Sequence, residues 1–291
     1  MSRNENRTGM PGNETHTPQD TDTPAPVATG SPEPAFHWSA PTEMVQLPSG
    51  GRFYPEGHPL HNSSTIEIRY MTAKEEDILT SQSLIKAGLA VDRMLENLIV
   101  DKRIMLNTLL LGDKNALIVA SRVTGYGPEY TTNVTCPSCT AVSRYEFDLE
   151  SGRINNFDEA LIEYGATLTE DNRLQLTLPF SGVEVTCRFL TGQDEINDFK
   201  RNKKRSKNTR GNSTLTDMFN QIIVSVNGST NREDINGFAK NMPARDSIYL
   251  RSFYASATPN LDLSQNFECA ECGYEADVEV PLTVDFLWPK R

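Results

Sequence analysis

Two cysteine doublets, Cys136-Pro137-Ser138-Cys139 and Cys269-Ala270-Glu271-Cys272, constrain this chain more than any other feature. Two residues between cysteines allow a tight turn to present both thiolates to one metal ion. A tetrahedral ion asks for four such ligands, and two turns supply them. Each doublet also lies among strand-like runs. Tyr130 to Thr135 precedes the first, and Ser143 to Leu149 follows it, with Tyr145, Phe147 and Leu149 alternating against Glu146 and Asp148. After the second, Val278, Val280, Leu282, Val284, Phe286 and Trp288 occupy every other position, which predicts one long, one-faced strand. Hairpin and knuckle, twice over, is the plan of a zinc ribbon with a structural Zn2+ on Cys136, Cys139, Cys269 and Cys272. Here residues 140–268, 129 in all, split the two halves.

The split is affordable. Closing a flexible loop of that length costs about 4 kcal/mol, whereas a four-cysteine zinc site contributes on the order of 10 kcal/mol of folding free energy at neutral pH. The margin widens if the insert folds and brings its own ends together. Two other readings of the doublets stay open. A redox doublet normally opens a helix, whose N-terminus stabilises the thiolate, and both doublets here run into strands. Disulfides call for an oxidising compartment and an even count, whereas the chain has five cysteines and a polar N-terminus without an apolar signal segment. One feature fits the knuckle poorly. Gly273 follows the second doublet, where a positive φ is often needed, but Thr140 follows the first, and a β-branched residue resists that geometry.

The remaining sequence narrows the class. With 28 basic and 39 acidic residues the net charge is -11, so the chain as a whole repels nucleic acid and anionic membrane. No apolar run approaches the roughly 20 residues of a membrane span, and the expectation is a cytosolic, reducing location. There is no P-loop, no H-E-x-x-H, no G-x-S-x-G and no dinucleotide fingerprint. With four sulfur ligands no coordination position is open for water. No catalytic residue is expected, and the protein reads as a non-enzyme.

Along the chain, residues 1–42 are rich in Thr, Pro, Asn and Gly and predict a disordered tail, whose aromatics Phe36 and Trp38 are either incidental or a short docking peptide. Residues 43–128 predict a strand at Thr65 to Tyr70 and a helical lobe. Thr72-Ala73-Lys74-Glu75 is a capping box, Val91, Met94, Leu95, Leu98 and Ile99 share a helical face, and Asp113 is placed to cap a third helix that ends before Gly125. His58 and His61 are spaced H-x-x-H around Pro59 and read as a solvated loop. Residues 129–150 and 262–291 are the halves of the ribbon. Between them, 151–261 predict an inserted α+β domain. It has a helix over Phe157 to Tyr164, a hairpin that buries Cys187 as an inert core residue, a helix starting at Thr191 and Asp194, a helix carrying Leu215 to Val226, and a last helix after Pro243 burying Ile248, Leu250 and Phe253. The fold class is α+β.

The sharpest charge feature is Lys200, Arg201, Lys203, Lys204, Arg205, Lys207 and Arg210, with no acid among residues 200–210; without these seven cations the net charge would be -18. The run reads first as a solvated loop or helix end over the protein's own acidic surface, and second as a docking patch for an acidic partner protein. Nucleic acid ranks third, because no aromatics interleave to stack bases.

With these residues in place the chain resembles the baseplate hub family of T-even-type, contractile-tailed bacteriophages. The resemblance is carried by Leu47-Pro48-Ser49-Gly50-Gly51, Met71-Thr72-Ala73-Lys74-Glu75-Glu76-Asp77-Ile78-Leu79, Val100-Asp101-Lys102-Arg103, Leu111-Gly112-Asp113-Lys114-Asn115-Ala116 and Arg122-Val123-Thr124-Gly125-Tyr126-Gly127. The first doublet, Met242-Pro243-Ala244-Arg245-Asp246-Ser247 and the ending Val280-Pro281-Leu282-Thr283-Val284-Asp285-Phe286-Leu287-Trp288-Pro289 complete it, so it runs from about residue 44 to the C-terminus. Thr140 departs from the glycine the resemblance leads one to expect. The resemblance implies a non-enzymatic component or assembly factor of a tail baseplate, made in the host cytoplasm and partnered by other tail proteins, with oligomerisation left open. The alternative is a zinc-ribbon nucleic-acid binder of transcription or packaging machinery, with a thiol oxidoreductase third.

Overall fold

The computed structural model describes residues 40–208, 215–281 and 286–288. Residues 1–39 of the expected tail, with Phe36 and Trp38, lie outside it. The chain opens with β1 (Thr42–Gln46) and β2 (Thr65–Arg69), an antiparallel pair that sets Val45 opposite Ile66 and buries both. The intervening loop is rich in Pro and Gly, and it is anchored by polar contacts. Ser49 donates to the buried Asp113 carboxylate through its N–H at 2.9 Å and its Oγ at 2.6 Å. The Tyr54 hydroxyl donates to the same carboxylate at 2.7 Å and accepts from the Leu110 N–H at 3.1 Å. Burial pushes the Asp113 carboxyl above its ordinary range, and these three donors hold it back. His58 and His61 are half-buried in this loop, not solvated. The His58 ring stacks on Tyr54 at 4.5 Å, and His61 Nδ1 lies 2.7 Å from the Tyr54 carbonyl.

The helical lobe follows. At the start of α1 (Ala73–Thr80), Glu75 Oε2 accepts from the Thr72 N–H at 3.0 Å, the return bond of a capping box, and also from the Thr72 hydroxyl at 2.6 Å. A short α2 (Gln82–Ala87), not foreseen in the sequence, stops at Gly88 with φ 72. Next, α3 (Ala90–Leu98) buries Met94, Leu95 and Leu98. The expectation for α4 (Leu111–Tyr126) needs correcting at both ends. Leu110 is the cap, so Asp113 is the third helical residue and serves the β1–β2 loop instead. The helix also runs through Gly125 to Tyr126 before Gly127, at φ 89, ends it. Close packing explains both helical glycines. A Cβ on Gly112 would stand 1.7 Å from the Pro259 carbonyl oxygen, and one on Gly125 would meet the Met71 side chain at 2.6 Å.

Two hairpins and a mixed segment complete the chain, confirming an α+β class. The first hairpin is β3 (Glu129–Thr135) with β4 (Val142–Asp148). Then come β5 (Arg153–Ile154), α5 (Phe157–Tyr164), β6 (Thr167–Leu168), β7 (Leu174–Thr177), β8 (Glu184–Cys187), α6 (Gly192–Asn208), α7 (Leu215–Ile222), β9 (Ile223–Val226), α8 (Arg232–Asn241), α9 (Ala244–Ala257) and β10 (Leu261–Asp262). Strands β6-β7-β8-β9 form an antiparallel sheet in that order, with Cys187 fully buried in it. The helix expected over Leu215 to Val226 stops at Ile222. From there the β-branched run Ile223, Val224, Val226 leaves the helix and pairs with β8, Val226 opposite Val185. In α9, Leu250 and Phe253 are buried, but Ile248 is 57% exposed. The second hairpin, β11 (Gln265–Glu268) with β12 (Glu275–Val278), is shorter than expected. The alternating run beyond Val278 does not continue as a strand among the described residues: Val280 is buried but outside any strand, Phe286 lies in a helical turn, and residues 282–285 are not described.

One pairing bears on the split halves. The short strands β5 and β10 are antiparallel partners, Arg153 opposite Asp262 and Ile154 opposite Leu261. The long intervening segment therefore closes at its own base, which removes most of the loop-closure cost from the second hairpin.

Gly112→Ala should be strongly destabilising, by about 2 kcal/mol or more, because backbone oxygen cannot retreat from the new methyl. Gly237→Ala, in the middle of α8 with nothing within 4 Å of the added carbon, should instead stabilise by roughly 0.5 kcal/mol. Urea unfolding of the two variants against the parent measures both.

Candidate metal centre

The two cysteine turns are built alike. In each, the first cysteine's N–H donates to the carbonyl five residues on: Cys136 to Ala141 at 2.8 Å, Cys269 to Tyr274 at 2.9 Å. In each, the residue four on donates back to the first cysteine's carbonyl: Thr140 to Cys136 and Gly273 to Cys269, both at 2.9 Å. This closure requires a left-handed backbone at the fourth position, and both turns supply it, Gly273 at φ 67 and Thr140 at φ 60. Thr140 thus adopts the conformation its branched side chain resists. Its Oγ1 donates to the Cys139 carbonyl at 2.7 Å, a local bond that offsets part of the strain.

The turns face each other. Cys136 Sγ lies 3.8 Å from Cys272 Sγ, and Cys139 Sγ lies 3.7 Å from Cys269 Sγ. All four sulfurs fall within 4.8 Å of one another and could hold one metal ion. The close pairs are almost twice the disulfide S–S bond of about 2.0 Å apart, and all four are free thiols. Cys136 and Cys269 are buried, while Cys139 and Cys272 reach the surface. Backbone N–H groups of Cys139 and Ser138 point at the Cys136 sulfur and draw its thiol down to about 7, toward the thiolate a metal needs. At Cys139 the Ala141 N–H acts in the same sense, but crowding by the Cys272, Cys136 and Cys269 thiols and burial prevail and push it up to about 12. A divalent cation among the sulfurs would reverse that crowding, since it favours every thiolate at once.

Aromatic packing and one amide hold the turns in register. The Phe147, Phe267 and Phe286 rings are fully buried. Tyr145 packs edge-on to Phe147 at 4.8 Å and to Phe267 at 5.5 Å, and Tyr130 packs on Phe286 at 5.0 Å. The hairpins form separate two-stranded sheets, yet Gln265 bridges them through both ends of its amide, accepting from the Asp148 N–H at 3.0 Å and donating to the Asp148 carbonyl at 2.7 Å. The Tyr145 hydroxyl donates to the Asn266 carbonyl at 2.6 Å.

The basic run lies elsewhere. Lys200, Arg201 and Lys203 are exposed on α6, Arg201 paired with Asp198 and Lys203 Nζ 5.8 Å from the Phe199 ring centroid. Lys204, Arg205 and Lys207 fall within the span of α6, but their side chains, and Arg210 altogether, lie outside the described residues. The buried Lys114 escaped the sequence reading. Its Nζ is 2.6 Å from Asp92 of α3 and 2.5 Å from Glu195 of α6. Burial alone would lower its pKa, but Glu195 and Asp92 together raise it, so the charge is kept. Partners 22 and 81 residues away leave no local pattern to read.

Comparison with known proteins gives one result. The sequence model of a family described as T4 bacteriophage base plate protein matches residues 40–288, nearly all of the chain beyond the N-terminal segment. No curated protein and no solved structure matched.

Replacing Thr140 by glycine should release the left-handed strain and raise stability by about 1 kcal/mol, read as a higher urea midpoint with an unchanged slope. Cys139→Ser should remove one of the four clustered sulfurs and, in the presence of a thiophilic metal, lower stability on the order of 4 kcal/mol. Cys187→Ala, which empties only a small apolar volume, should cost about 1 kcal/mol; thermal melts of the two cysteine variants side by side check the contrast.

Proposed function

Because the chain belongs to the T4 bacteriophage base plate protein family, we propose that it is a non-enzymatic structural or assembly subunit of a contractile-tail baseplate, placed at the hub and docked on other tail proteins. The observation that carries this is the family match over residues 40–288. Assembly in the host cytoplasm, with the protein then a component of the virion tail, follows from the same reading.

Within it, Cys136, Cys139, Cys269 and Cys272 hold a structural Zn2+, and the hairpins 129–150 and 262–291 form a split ribbon around the inserted residues 151–261. The sulfur spacing supports this. A zinc ion with four thiolates at about 2.3 Å in a tetrahedron requires S···S edges of about 3.8 Å, and the close pairs measure 3.8 and 3.7 Å. When bound, the metal would supply folding free energy and no chemistry, since four sulfurs leave no open position. The N-terminal helical lobe, 43–128, and the exposed cations Lys200, Arg201 and Lys203 supply the docking surface, continued in the sequence by Lys204, Arg205, Lys207 and Arg210.

Two measurements test the reading. Elemental analysis of the purified protein with a thiol titration should return one zinc per chain and a single reactive cysteine's worth of unprotected thiol at most. Affinity purification from infected cells should recover tail proteins in fixed proportion. Salt-sensitive retention on DNA without tail proteins would favour a ribbon-type nucleic-acid binder instead, and the proposal would fall.

A further inference from the structure

Helix α6 does more than carry charge. Ile196, Phe199, Lys200 and Lys203 are spaced i, i+3, i+4 and i+7, so they share one face of the helix. That face forms a wall of an open groove of about 460 Å3. Ile85, Leu89 and Val91, from the α2–α3 corner, form the opposite wall, and Trp288 closes one side. Phe199 is 43% exposed and Leu89 37% exposed. The Phe199 ring lies against Gly88, where even a methyl would stand 2.4 Å from the ring edge, so the bare glycine lets the aromatic line the groove. Two acids, Asp92 and Glu195, also reach the groove, but both are engaged by the buried Lys114 in its floor. Lys200 and Lys203 at the rim make no ion pair among the described residues.

An apolar trough whose two acids share the buried Lys114, with two cations at its edge unpaired among the described residues, selects for charge as well as shape. A small ligand would want converging polar groups to orient it, and the inward-facing ones here are spent on each other. An apolar stripe flanked by carboxylates matches both parts of the surface, the stripe in the trough and the carboxylates against Lys200 and Lys203. We propose that this groove is a docking site for an amphipathic segment of a partner protein whose apolar face is bordered by acidic residues. The proposal deepens the docking role given above for α6 and rests on it.

The test uses the full chain and a labelled helical peptide of about 15 residues with Leu and Trp at i, i+3, i+4 and i+7 and Glu elsewhere, beside a twin with Lys in place of Glu, both read by fluorescence anisotropy. The acidic peptide should bind about tenfold or more tighter than its twin. Phe199→Ser should weaken it about tenfold, and Lys200→Glu with Lys203→Glu should reverse the preference between the peptides. Both sites are at the surface, so melting temperatures should match the parent; Leu89→Ser replaces Phe199→Ser if the latter does not fold. Equal affinity for the two peptides, or variants that bind like the parent, overturns the proposal. So does an affinity that appears only when residues 1–39 are removed, which would make this chain's own N-terminal segment the occupant. Self-association abolished by Phe199→Ser would make it a second copy, with the same consequence. Recovery of tail proteins by the parent chain is scored separately: if it succeeds while the peptides are not discriminated, the groove proposal falls and the baseplate reading stands.

Discussion

The fold depends on bringing residues 136–139 against residues 269–272, and the physical problem is one of distance along the chain. Sulfur spacing alone would be a weak constraint on two short hairpins that share no ladder of hydrogen bonds. Here it has support at three depths. Immediately behind the thiols, Tyr145 bridges Phe147 and Phe267 in edge-on contacts that bury a large apolar area. Below that, at the far end of both hairpins, Gln265 clips Asp148 with both ends of its amide. At the base, β5 pairs with β10, so the long intervening segment leaves and returns at one place. Each layer reduces the entropy that the next must overcome. The proposed metal then acts on ends already near one another, and its contribution goes into holding the turns, including the strained one at Thr140.

A second organising element is α4, where neighbouring residues face opposite ways with opposite charge. Asp113 is buried toward the loop after β1 and accepts from Ser49 and Tyr54. Lys114, also buried, reaches α3 and α6. A buried charge is tolerated only when its hydrogen-bonding capacity is met, and losing one partner of such a set costs about 3–5 kcal/mol. These contacts therefore specify where the loop, α3 and α6 must lie relative to α4 more sharply than apolar packing could. Gly112, directly before them, lets the Pro259 backbone approach α4 closely. Three consecutive residues thus fix four separate parts of the molecule.

What could be read from the sequence follows from the range of the signal. The helix at Phe157–Tyr164, the capping at Thr72 and Glu75, the hairpin burying Cys187 and the pairing of the cysteine doublets rest on periodicity or on spacings of a few residues, and the structure shows them. The errors came where a local pattern had two solutions. An apolar face at Leu215 to Val226 suits a helix until β-branching and a free edge of β8 favour a strand. The alternation after Val278 suits a strand, but Phe286 is used in a turn under Tyr130. Asp113 looked like a cap because caps are local, whereas its true donors are 64 and 59 residues away. Lys114 and its acids gave no sequence signal for the same reason. Several stretches that carried the family resemblance turn out to hold such long-range anchors: Ser49, Asp113, and Asp246, which accepts from the Phe180 and Ser181 N–H groups.

This pattern bears on how a docking protein can be built. Residues that must satisfy buried charges are committed to the fold and cannot vary freely with a partner. In α6 the two duties are separated along the length of the helix. Glu195 reaches across to Lys114 and Asp194 binds Arg188 at 2.7 Å, which ties the first turn of the helix to the body. One turn later Phe199, Lys200 and Lys203 face outward at the edge of the groove. Changing the outward residues leaves the anchoring ion pairs intact, so the surface offered to a partner can be altered at little cost to stability. An anchored first turn also holds that surface in position before any partner arrives, which lowers the ordering cost of association. The cysteine turns, by contrast, expose only Cys139 and Cys272 of their four sulfurs and offer little to bind, which suits a clamp whose proposed task is to hold the body on which α6 is displayed.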